Sequence, residues 1–356
     1  MYNLIKELSE TFGPSGYEDE IRKVILKNIK EYAEKVKVDV LGNIIAKVGA
    51  GKKKIMIEAH MDEIALMVKH IDEKGFIYVV SLGGWDPRIL LGQRVVLRNY
   101  KGEKIIGVVG SKPVHLMEKD ESKEIKLKDL FIDIGAKDKK EVEKWDIKPG
   151  DVVVIDATLK RLGKTDDLIT GKALDNRIGC AVVIEVMKSL PEDLKNEYTF
   201  YFVFTVQEEV GLKGARTSGF ELDVDFAISV DTAPAGDTPG IEEKVSELKV
   251  GKGVVIEIVQ AEGYGLITPR SLVDKAVSIM EKVKIPYQVE VGVGGVSNAA
   301  ILYITKKGIP TLGIGIATRN LHTPIEVASL KDIEYAVKSI IELLKNKIID
   351  DHERDN

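Results

Sequence analysis

The sequence has little of several features that would each indicate a particular class of protein. Its 356 residues include a single cysteine, Cys180, which excludes an internal disulfide framework and a zinc site built from thiolates. No apolar run approaches the ~18 residues that a membrane-spanning helix needs. The net charge is −5 and lysines are interspersed with glutamates, so no basic stripe indicates a nucleic acid partner. Any metal would have to be held by histidine and carboxylate side chains.

Signature loops of common cofactor and nucleophile sites are also missing. The segment 292–295 follows a predicted strand but does not fit the dinucleotide-binding pattern GxGxxG, and the phosphate-binding pattern GxxxxGK followed by Ser or Thr does not occur. Ser297 lacks a GxSxG elbow, and Cys180 lies in an apolar stretch typical of a helix core. The first residues form an amphipathic, partly acidic pattern and not a signal peptide, so a cytoplasmic location and no membrane attachment are expected.

The distribution of strand and helix patterns predicts two domains. Strands alternate with amphipathic helices at both ends of the chain, which is typical of a layered α/β domain around a largely parallel sheet. Between about Met67 and Thr158 the pattern changes to short strands separated by turn signals, as in a small β barrel or sandwich. We therefore predict an α/β domain formed by 1–66 and 161–356, with a β-rich domain inserted at 67–160.

Local signals predict the individual elements of the α/β domain. Two helices within 3–35 are separated by Gly13–Gly16, and Ser15 with Glu18 has the spacing of a capping box for the second helix. The other predictions are a hairpin at 36–48, strands at 54–59, 198–206, 224–230, 287–292 and 309–316, and helices at 175–189, 269–284 and after Ser329. The tail at 350–356 is predicted to be disordered.

The most informative of these strands is the aromatic and β-branched run that begins at Tyr198. It is followed by two adjacent carboxylates, Glu208 and Glu209, and then by Gly211. Successive side chains leave an extended strand on opposite sides, so two neighbouring glutamates there would have different tasks. One could bind a metal while the other transfers a proton. The alternative is a strand that reaches solvent and stops, since paired glutamates are common on protein surfaces.

Further acidic and histidine residues occur where a predicted strand ends or a predicted helix begins. Together with the two glutamates they are His60, Asp175, Glu208, Glu209, Asp231 and His322. Ligands of open α/β sheets bind beyond the carboxyl ends of the strands, so these side chains can converge on one crevice. Two imidazoles and three carboxylates suit a pair of divalent metals, and a further carboxylate can act as general base. Asp62 lies on the same side of an extended segment as His60 and can fix its tautomer.

Each of these residues also has a simpler interpretation. Asp175 could be a helix N-cap, Asp231 could begin a turn, and His60 and His322 could be ordinary core or loop histidines. The other three histidines have less support. His115 belongs to the β-rich insertion as a loop or interface residue, and His70 and His352 have no neighbours that suggest a site.

Five short segments resemble, in order and spacing, the M42 family of metalloaminopeptidases, the TET-type enzymes. They are His60–Asp62, Ala173–Arg177, Gln207–Gly211, Val230–Asp231 and His322–Pro324. The likeness extends over nearly the full length and includes 83–88, 92–95, 110–113 and 130–135 in the insertion.

The resemblance implies a metal-dependent aminopeptidase with two metal ions, zinc or cobalt, per subunit. It implies that one metal is held by His60 and Asp231 and the other by Glu209 and His322, that Asp175 bridges them, that Glu208 is the general base, and that Asp62 orients His60. The insertion would be PDZ-like and would form dimers that assemble into a tetrahedral dodecamer. Substrates would be peptides with a free N-terminus.

Two segments depart from the family pattern. Gly295–Ala299 stands where the family commonly has Gly-Thr-Asp-Ala, so that Asn298 replaces a carboxylate, and Gln260–Gly265 is also atypical. These loops are expected to border either the substrate pocket or a subunit contact. The N-terminal residue that the enzyme prefers therefore cannot be read from the sequence.

Two other functions stay open at this point. Relatives of the family have carried an endoglucanase label, although adjacent glutamates do not suit a glycoside hydrolase, whose two carboxyl groups face each other across the sugar. The second is a self-assembling scaffold that has lost catalysis. Loss of a metal ligand or of the base would favour the scaffold, and the sequence contains all of them.

Overall fold

The computed structural model describes residues 1–116 and 124–349. The predicted disorder of 350–356, and His352 with it, fall outside the described residues. The strands are, in chain order, β1 (Lys35–Val38), β2 (Ile44–Val48), β3 (Lys53–His60), β4 (Ala65–Ile71), β5 (Ile77–Leu82), β6 (Arg94–Arg98), β7 (Lys104–Gly110), β8 (Phe131–Asp133), β9 (Val152–Ile155), β10 (Lys160–Arg161), β11 (Leu168–Gly171), β12 (Tyr198–Thr205), β13 (Phe226–Pro234), β14 (Val254–Val259), β15 (Tyr287–Val291), β16 (Thr311–Thr318) and β17 (Glu326–Ser329).

The α-helices range in length from 4 to 16 residues. They are α1 (Tyr2–Glu10), α2 (Asp19–Ile29), α3 (Pro87–Leu90), α4 (Lys139–Lys144), α5 (Leu174–Lys188), α6 (Glu192–Glu197), α7 (Lys213–Glu221), α8 (Arg270–Val283), α9 (Asn298–Tyr303) and α10 (Leu330–Lys345). The longest of them, α10, is capped by the Ser329 side chain, which accepts a hydrogen bond from Asp332 N. Among the described residues, no helix has the length and apolarity needed to cross a bilayer.

One eight-stranded sheet organises the α/β part of the chain, in the order β1-β2-β12-β3-β13-β16-β14-β15. Its four central strands, β12, β3, β13 and β16, run parallel, while β14 is antiparallel to β16. Helices cover both faces. The larger core lies between one face and α1, α2, α5, α8 and α10, and a smaller core packs α7 and α9 on the other face. The chain therefore has the mixed, layered α/β fold that the sequence predicts.

The β-rich segment forms a closed barrel of β4, β5, β8, β7, β6 and β9. The barrel has its own buried cluster of aliphatic side chains, separate from the cores of the large sheet. Its strands lie between Ala65 and Ile155. The boundary at 67–160 and the PDZ-like character of the insertion stay predictions.

The predicted capping box at Ser15 and Glu18 is wrong. Helix α2 begins at Asp19, and its N-terminus has no hydrogen bond from a capping side chain. Ser15 Oγ instead donates to Asp62 Oδ2 at 2.6 Å, and Glu18 Oε1 accepts from Gly16 N at 2.7 Å. The hydroxyl of Ser15 is bonded to a residue that is distant in the sequence. A local sequence pattern cannot reveal such a contact.

Three strand ends also differ from the prediction. Strand β13 continues to Pro234, so Asp231 lies within the strand, and His60 is the last residue of β3. Strand β12 ends at Thr205, and Gln207 has a positive φ of 54°. The two glutamates that follow are therefore in a turn, and strand alternation does not separate them.

Candidate metal centre

The six residues His60, Asp175, Glu208, Glu209, Asp231 and His322, which we call the metal centre, come together at the carboxyl ends of the parallel strands. Residues two apart on one strand point to the same face of the sheet. His60 on β3 and Asp231 on β13 both project from the face that α7 and α9 cover. The loop after β12, the start of α5 and the loop after β16 supply the other four residues. The convergence expected for an open α/β sheet is thus present in the structure.

Asp175 lies at the middle of the metal centre. Its Oδ1 is 3.2 Å from Nε2 of His60, and its Oδ2 is 3.6 Å from Nε2 of His322. Asp175 is non-helical in backbone conformation, and the N-cap position of α5 belongs to Ala173. The aspartate is therefore not a helix cap, and its two oxygens face two different imidazoles.

The other carboxylates divide between the two histidines. Asp231 Oδ1 and Glu208 Oε2 are 3.7 and 3.9 Å from Nε2 of His60. Glu209 Oε2 is 3.3 Å from Nε2 of His322. Three groups, each of one histidine and two carboxylates, have donor atoms close enough to share an ion: His60, Asp175 and Asp231; His60, Glu208 and Glu209; and Asp175, Glu209 and His322.

The charges of the metal centre fit a bound divalent cation. Burial, and then the neighbouring carboxylates, raise the pKa of Glu208, Glu209 and Asp231 well above their usual values, although the histidines act in the opposite direction. Burial opposes ionisation of Asp175, but its contacts with the two imidazoles outweigh it and lower its pKa. Within 1–116 and 124–349, no lysine or arginine forms an ion pair with these carboxylates. Buried anions need a compensating charge, and metal ions supply it in sites of this composition.

A carbonyl from the barrel segment fixes the tautomer of His322. Nδ1 of His322 lies 2.9 Å from the carbonyl oxygen of Gly84, which can only accept a hydrogen bond. Nδ1 must therefore carry the proton, and Nε2 keeps its lone pair for a metal. A Cβ on Gly84 would come within 3.2 Å of Nδ1, so the contact favours glycine.

Asp62 holds the turn that carries the two glutamates. Its Oδ1 accepts from Glu208 N at 3.0 Å, and its Oδ2 accepts from Glu209 N at 3.3 Å. Nδ1 of His60 is 3.4 Å from Oδ1, but its geometry is not that of a hydrogen bond. Burial opposes ionisation of Asp62, yet the contacts with His60 and Ser15 lower its pKa. Asp62, which was predicted to lie beside His60, thus positions both glutamates.

Two buried glutamates that support the metal centre were not identified from the sequence. Glu326 accepts hydrogen bonds from Asp175 N at 3.1 Å and from His322 N at 2.8 Å. Glu18 accepts from Gln207 N at 3.2 Å, immediately before the paired glutamates. Burial raises the pKa of Glu326 to about 8 and that of Glu18 to about 7. The available signal for Glu326 is its place directly before the apolar pair Val327 and Ala328, whereas Glu18 has the spacing of a helix cap.

A cavity of about 470 Å³ opens from the metal centre along the sheet. Beyond the six residues its lining includes Leu212, Glu257, Val259, Gln260, Glu290, Val296 and Ser297. Gln260 Nε2 donates to Ser297 Oγ at 2.7 Å, so the two segments that depart from the family pattern meet here. Both segments border the cavity, as one of the two expectations had it. His70 and His115 are absent from this lining.

Comparisons with known proteins identify the family of the chain. The model of the family described as M42 glutamyl aminopeptidase matches residues 42–338. A lysyl aminopeptidase of Pyrococcus furiosus is 34% identical and covers 97% of this chain and 96% of its own length. The structure of an aminopeptidase from Desulfurococcus kamchatkensis is 38% identical, with a TM-score of 0.92 and coverage of 98% of this chain and 96% of that chain.

Two further solved structures bear on assembly and on the alternative activity. The TET1 peptidase of Pyrococcus horikoshii, described as assembling into a tetrahedron or a large octahedral shell, is 34% identical with a TM-score of 0.86 and covers 96% of this chain and 98% of that chain. A Thermotoga maritima protein described as an endoglucanase is 31% identical with a TM-score of 0.77, covering 97% and 98%. The family match and the near-complete overlap with aminopeptidases show that the chain belongs to the M42 family and is a TET-type aminopeptidase.

Proposed function

We propose that this aminopeptidase removes the N-terminal residue of peptides at a site for two metal ions, with Glu208 as the general base. The observation that carries the proposal is the position of Asp175, whose two oxygens face the Nε2 atoms of His60 and His322 at 3.2 and 3.6 Å. A carboxylate between two imidazoles is the geometry of a ligand shared by two metals. The five-ligand set and its separate base are the composition expected of such a hydrolase.

The ligands divide into two sets around Asp175. His60 and Asp231 hold one ion, Glu209 and His322 hold the other, and zinc or cobalt suits these nitrogen and oxygen donors. When bound, the ions supply Lewis acidity toward the scissile carbonyl and lower the pKa of nearby water. His322 donates hydrogen bonds to the Gly84 carbonyl and to the Glu326 carboxylate, and these bonds keep it in position.

Glu208 is better placed than Glu209 to handle the proton. Glu209 is 3.3 Å from Nε2 of His322, whereas Glu208 is 3.9 Å from Nε2 of His60, which has two other carboxylates closer to it. Glu208 is 9% exposed, and burial raises the pKa of its carboxyl. Its oxygen takes a proton from the attacking water and later gives it to the leaving amine. Asp62 holds its backbone amide during both transfers.

The remaining parts of the proposal concern substrate and assembly. Peptides with a free N-terminus are the substrates, because the acidic metal centre attracts an amino group that a blocked peptide lacks. We further propose that the barrel segment, 67–160, is the PDZ-like dimerisation domain and that dimers assemble into a dodecamer in the cytoplasm. The TET1 structure of Pyrococcus horikoshii, a tetrahedron or octahedral shell, supports the assembly.

The test uses protein stripped of metal and then loaded with cobalt or zinc. Aminoacyl chromogenic substrates, matched N-blocked peptides and soluble cellulose are offered to wild type, Glu208→Gln and a control, Glu334→Gln, on the exposed side of α10. We expect metal-dependent cleavage of free aminoacyl substrates, with kcat lower by roughly 10²- to 10⁴-fold in Glu208→Gln at unchanged metal content. The control should match wild type.

Three outcomes would contradict the proposal. Failure of the metal-loaded protein to cleave any aminoacyl substrate would contradict the aminopeptidase mechanism. Cleavage of N-blocked peptides at the same rate as free ones would contradict the requirement for a free N-terminus. Metal-independent cleavage of cellulose would instead favour the glycoside hydrolase.

A further inference from the structure

A second group of carboxylates lies in the same cavity as the metal centre. Glu257 on β14 and Glu290 on β15, which we call the acidic pair, are directly opposite each other in the sheet register and both line the cavity. Glu257 is 3% exposed, and Glu290 is half-buried. Among the described residues, neither has an ion pair with lysine or arginine, and no lysine or arginine lines the cavity.

The strand register fixes where the acidic pair lies relative to the metal centre. Glu257 pairs with Gly313 on β16, which pairs with Ser229 on β13. Ser229 is two residues before Asp231, so all these side chains share one face of the sheet. Two strand spacings and two residues separate the Cα atoms of Asp231 and Glu257, which is roughly 12 Å by standard strand dimensions. An amino acid at the metal centre can direct its side chain across this interval.

The Glu257 carboxylate is held in a defined position. It lies over Gly313 of β16, where an added Cβ would come within 2.0 Å of Glu257 Oε2. Gln260 Nε2 donates to the same oxygen at 2.6 Å, and Gln260 is held in turn by Ser297. Within the described part of the chain, Oε1 has no hydrogen-bond donor. One oxygen is therefore anchored, and the other is available to a guest in the cavity.

The chemistry of the cavity walls defines that guest. Leu212, Val259 and Val296 supply apolar surface to the same cavity as the two groups of carboxylates. A side chain that fits has an apolar stem and a cationic end, as lysine and arginine do. We propose that the acidic pair receives the side chain of the substrate's N-terminal residue and selects lysine or arginine over neutral residues and against glutamate. This inference rests on the proposed aminopeptidase function and names its substrate class.

The electrostatics of the cavity support a cationic guest. Burial, and then the charges of Glu290 and Glu58, raise the pKa of Glu257 to about 8, and burial raises that of Glu290 to about 7. Ionising two neighbouring carboxylates in a buried environment costs free energy when no cation is present. A lysine ammonium or an arginine guanidinium offsets that cost, whereas a glutamate side chain adds a third like charge.

The experiment compares Lys, Arg, Leu, Gln and Glu p-nitroanilides on cobalt-loaded wild type, Glu257→Gln, Glu290→Gln and the surface control Glu334→Gln. We expect kcat/KM for Lys and Arg to exceed that for Leu by roughly tenfold or more, since hydrogen bonds to charged groups are the strong ones. The Lys/Leu ratio should fall about tenfold in each pocket variant and stay unchanged in the control. Glutamate should be the poorest substrate.

Leu or Gln substrates that are cleaved at least as well as Lys by wild type would overturn the inference while leaving the aminopeptidase function intact. So would a Lys/Leu ratio that neither pocket variant changes. Calorimetric titration with L-lysinamide and L-leucinamide gives a second readout that does not need turnover. If no p-nitroanilide is cleaved, the proposed function fails, and tighter binding of L-lysinamide that is lost in Glu290→Gln would still support the acidic pocket. Equal binding of the two amides would overturn it.

Discussion

The metal centre and the acidic pair lie on one face of one sheet and are built from the same kind of buried carboxylate, yet their partners differ. At the metal centre, Asp175, Glu209 and their neighbours face imidazole nitrogens. At the acidic pair, Glu257 accepts a hydrogen bond from the side-chain amide of Gln260. The strand residues that pair with Glu257, Glu290 and Gly313, include no histidine. An imidazole whose other nitrogen is fixed offers a lone pair to a metal, whereas an amide donor leaves the carboxylate charge for a cationic guest. The partner, more than the acid, decides the chemistry.

Removing the shared ligand should give the largest effect on this comparison. In Asp175→Asn one of the two oxygens that face His60 and His322 becomes an amide nitrogen, which cannot bind a metal. We expect fewer than two cobalt ions per subunit by elemental analysis and a fall in kcat/KM of about 100-fold or more. Asp193→Asn, an exposed aspartate of α6, is the matched control. Full metal content in Asp175→Asn would show that Asp175 is not a ligand.

Loosening the support of the metal centre should have a smaller effect. Glu326 accepts from the backbone amides of Asp175 and His322, and Glu326→Gln places an NH2 group opposite one of them. Outer partners of metal ligands typically contribute about 10- to 100-fold in metal affinity. Competition with a coloured chelator should reveal a loss of that size. An affinity equal to that of wild type would assign Glu326 to stability alone, which thermal unfolding would measure.

Displacing Glu257 without changing the charge of the acidic pair should affect only the selectivity between substrates. The methyl group of Gly313→Ala would occupy the place of the Glu257 carboxylate, which must then move. We expect the Lys/Leu ratio of kcat/KM to fall several-fold at unchanged cobalt content. An unchanged ratio in a variant that folds like wild type would mean that the position of Glu257 does not matter for selection.

The smallest expected effect is a pH dependence of the same ratio. The pKa of Glu257 is raised to about 8 and that of Glu290 to about 7, so both gain charge as the pH rises from 6 to 9. A substrate lysine stays protonated over this range, because its ordinary pKa is about 10.4. The Lys/Leu ratio should therefore increase several-fold with pH, and the increase should shrink in Glu257→Gln. Because the ratio compares two substrates at the same pH, the ionisation of groups that act equally on both substrates cancels. A ratio that falls with pH would contradict the assignment.

Sequence patterns were sufficient where a feature depends on neighbours along the chain. The strand from Tyr198, the helix over 269–284 and the helix after Ser329 are present within a few residues of their predicted ends. The six residues of the metal centre could be gathered because each lies near the end of a strand or the start of a helix, which places them at one edge of a parallel sheet.

Features that depend on distant contacts were not predicted. Glu326 and its partner Asp175 are 151 residues apart, and the hydroxyl of Ser15 binds a carboxylate 47 residues away. Strand β14, with Glu257, was not predicted at all, although its apolar alternation contains a single acidic residue. No local rule shows that such a residue faces a cavity, because the register with β16 and β15 decides it.

The hydrogen bond from His322 to the Gly84 carbonyl connects the barrel segment directly to the metal centre. An engineer who excised the barrel to obtain a minimal peptidase would delete the acceptor that keeps the proton on Nδ1. Recombining barrels between relatives would face the same constraint, since the donor loop must present a carbonyl at this one point. The insertion is therefore not a detachable module, because it supplies the acceptor for the Nδ1 proton of His322.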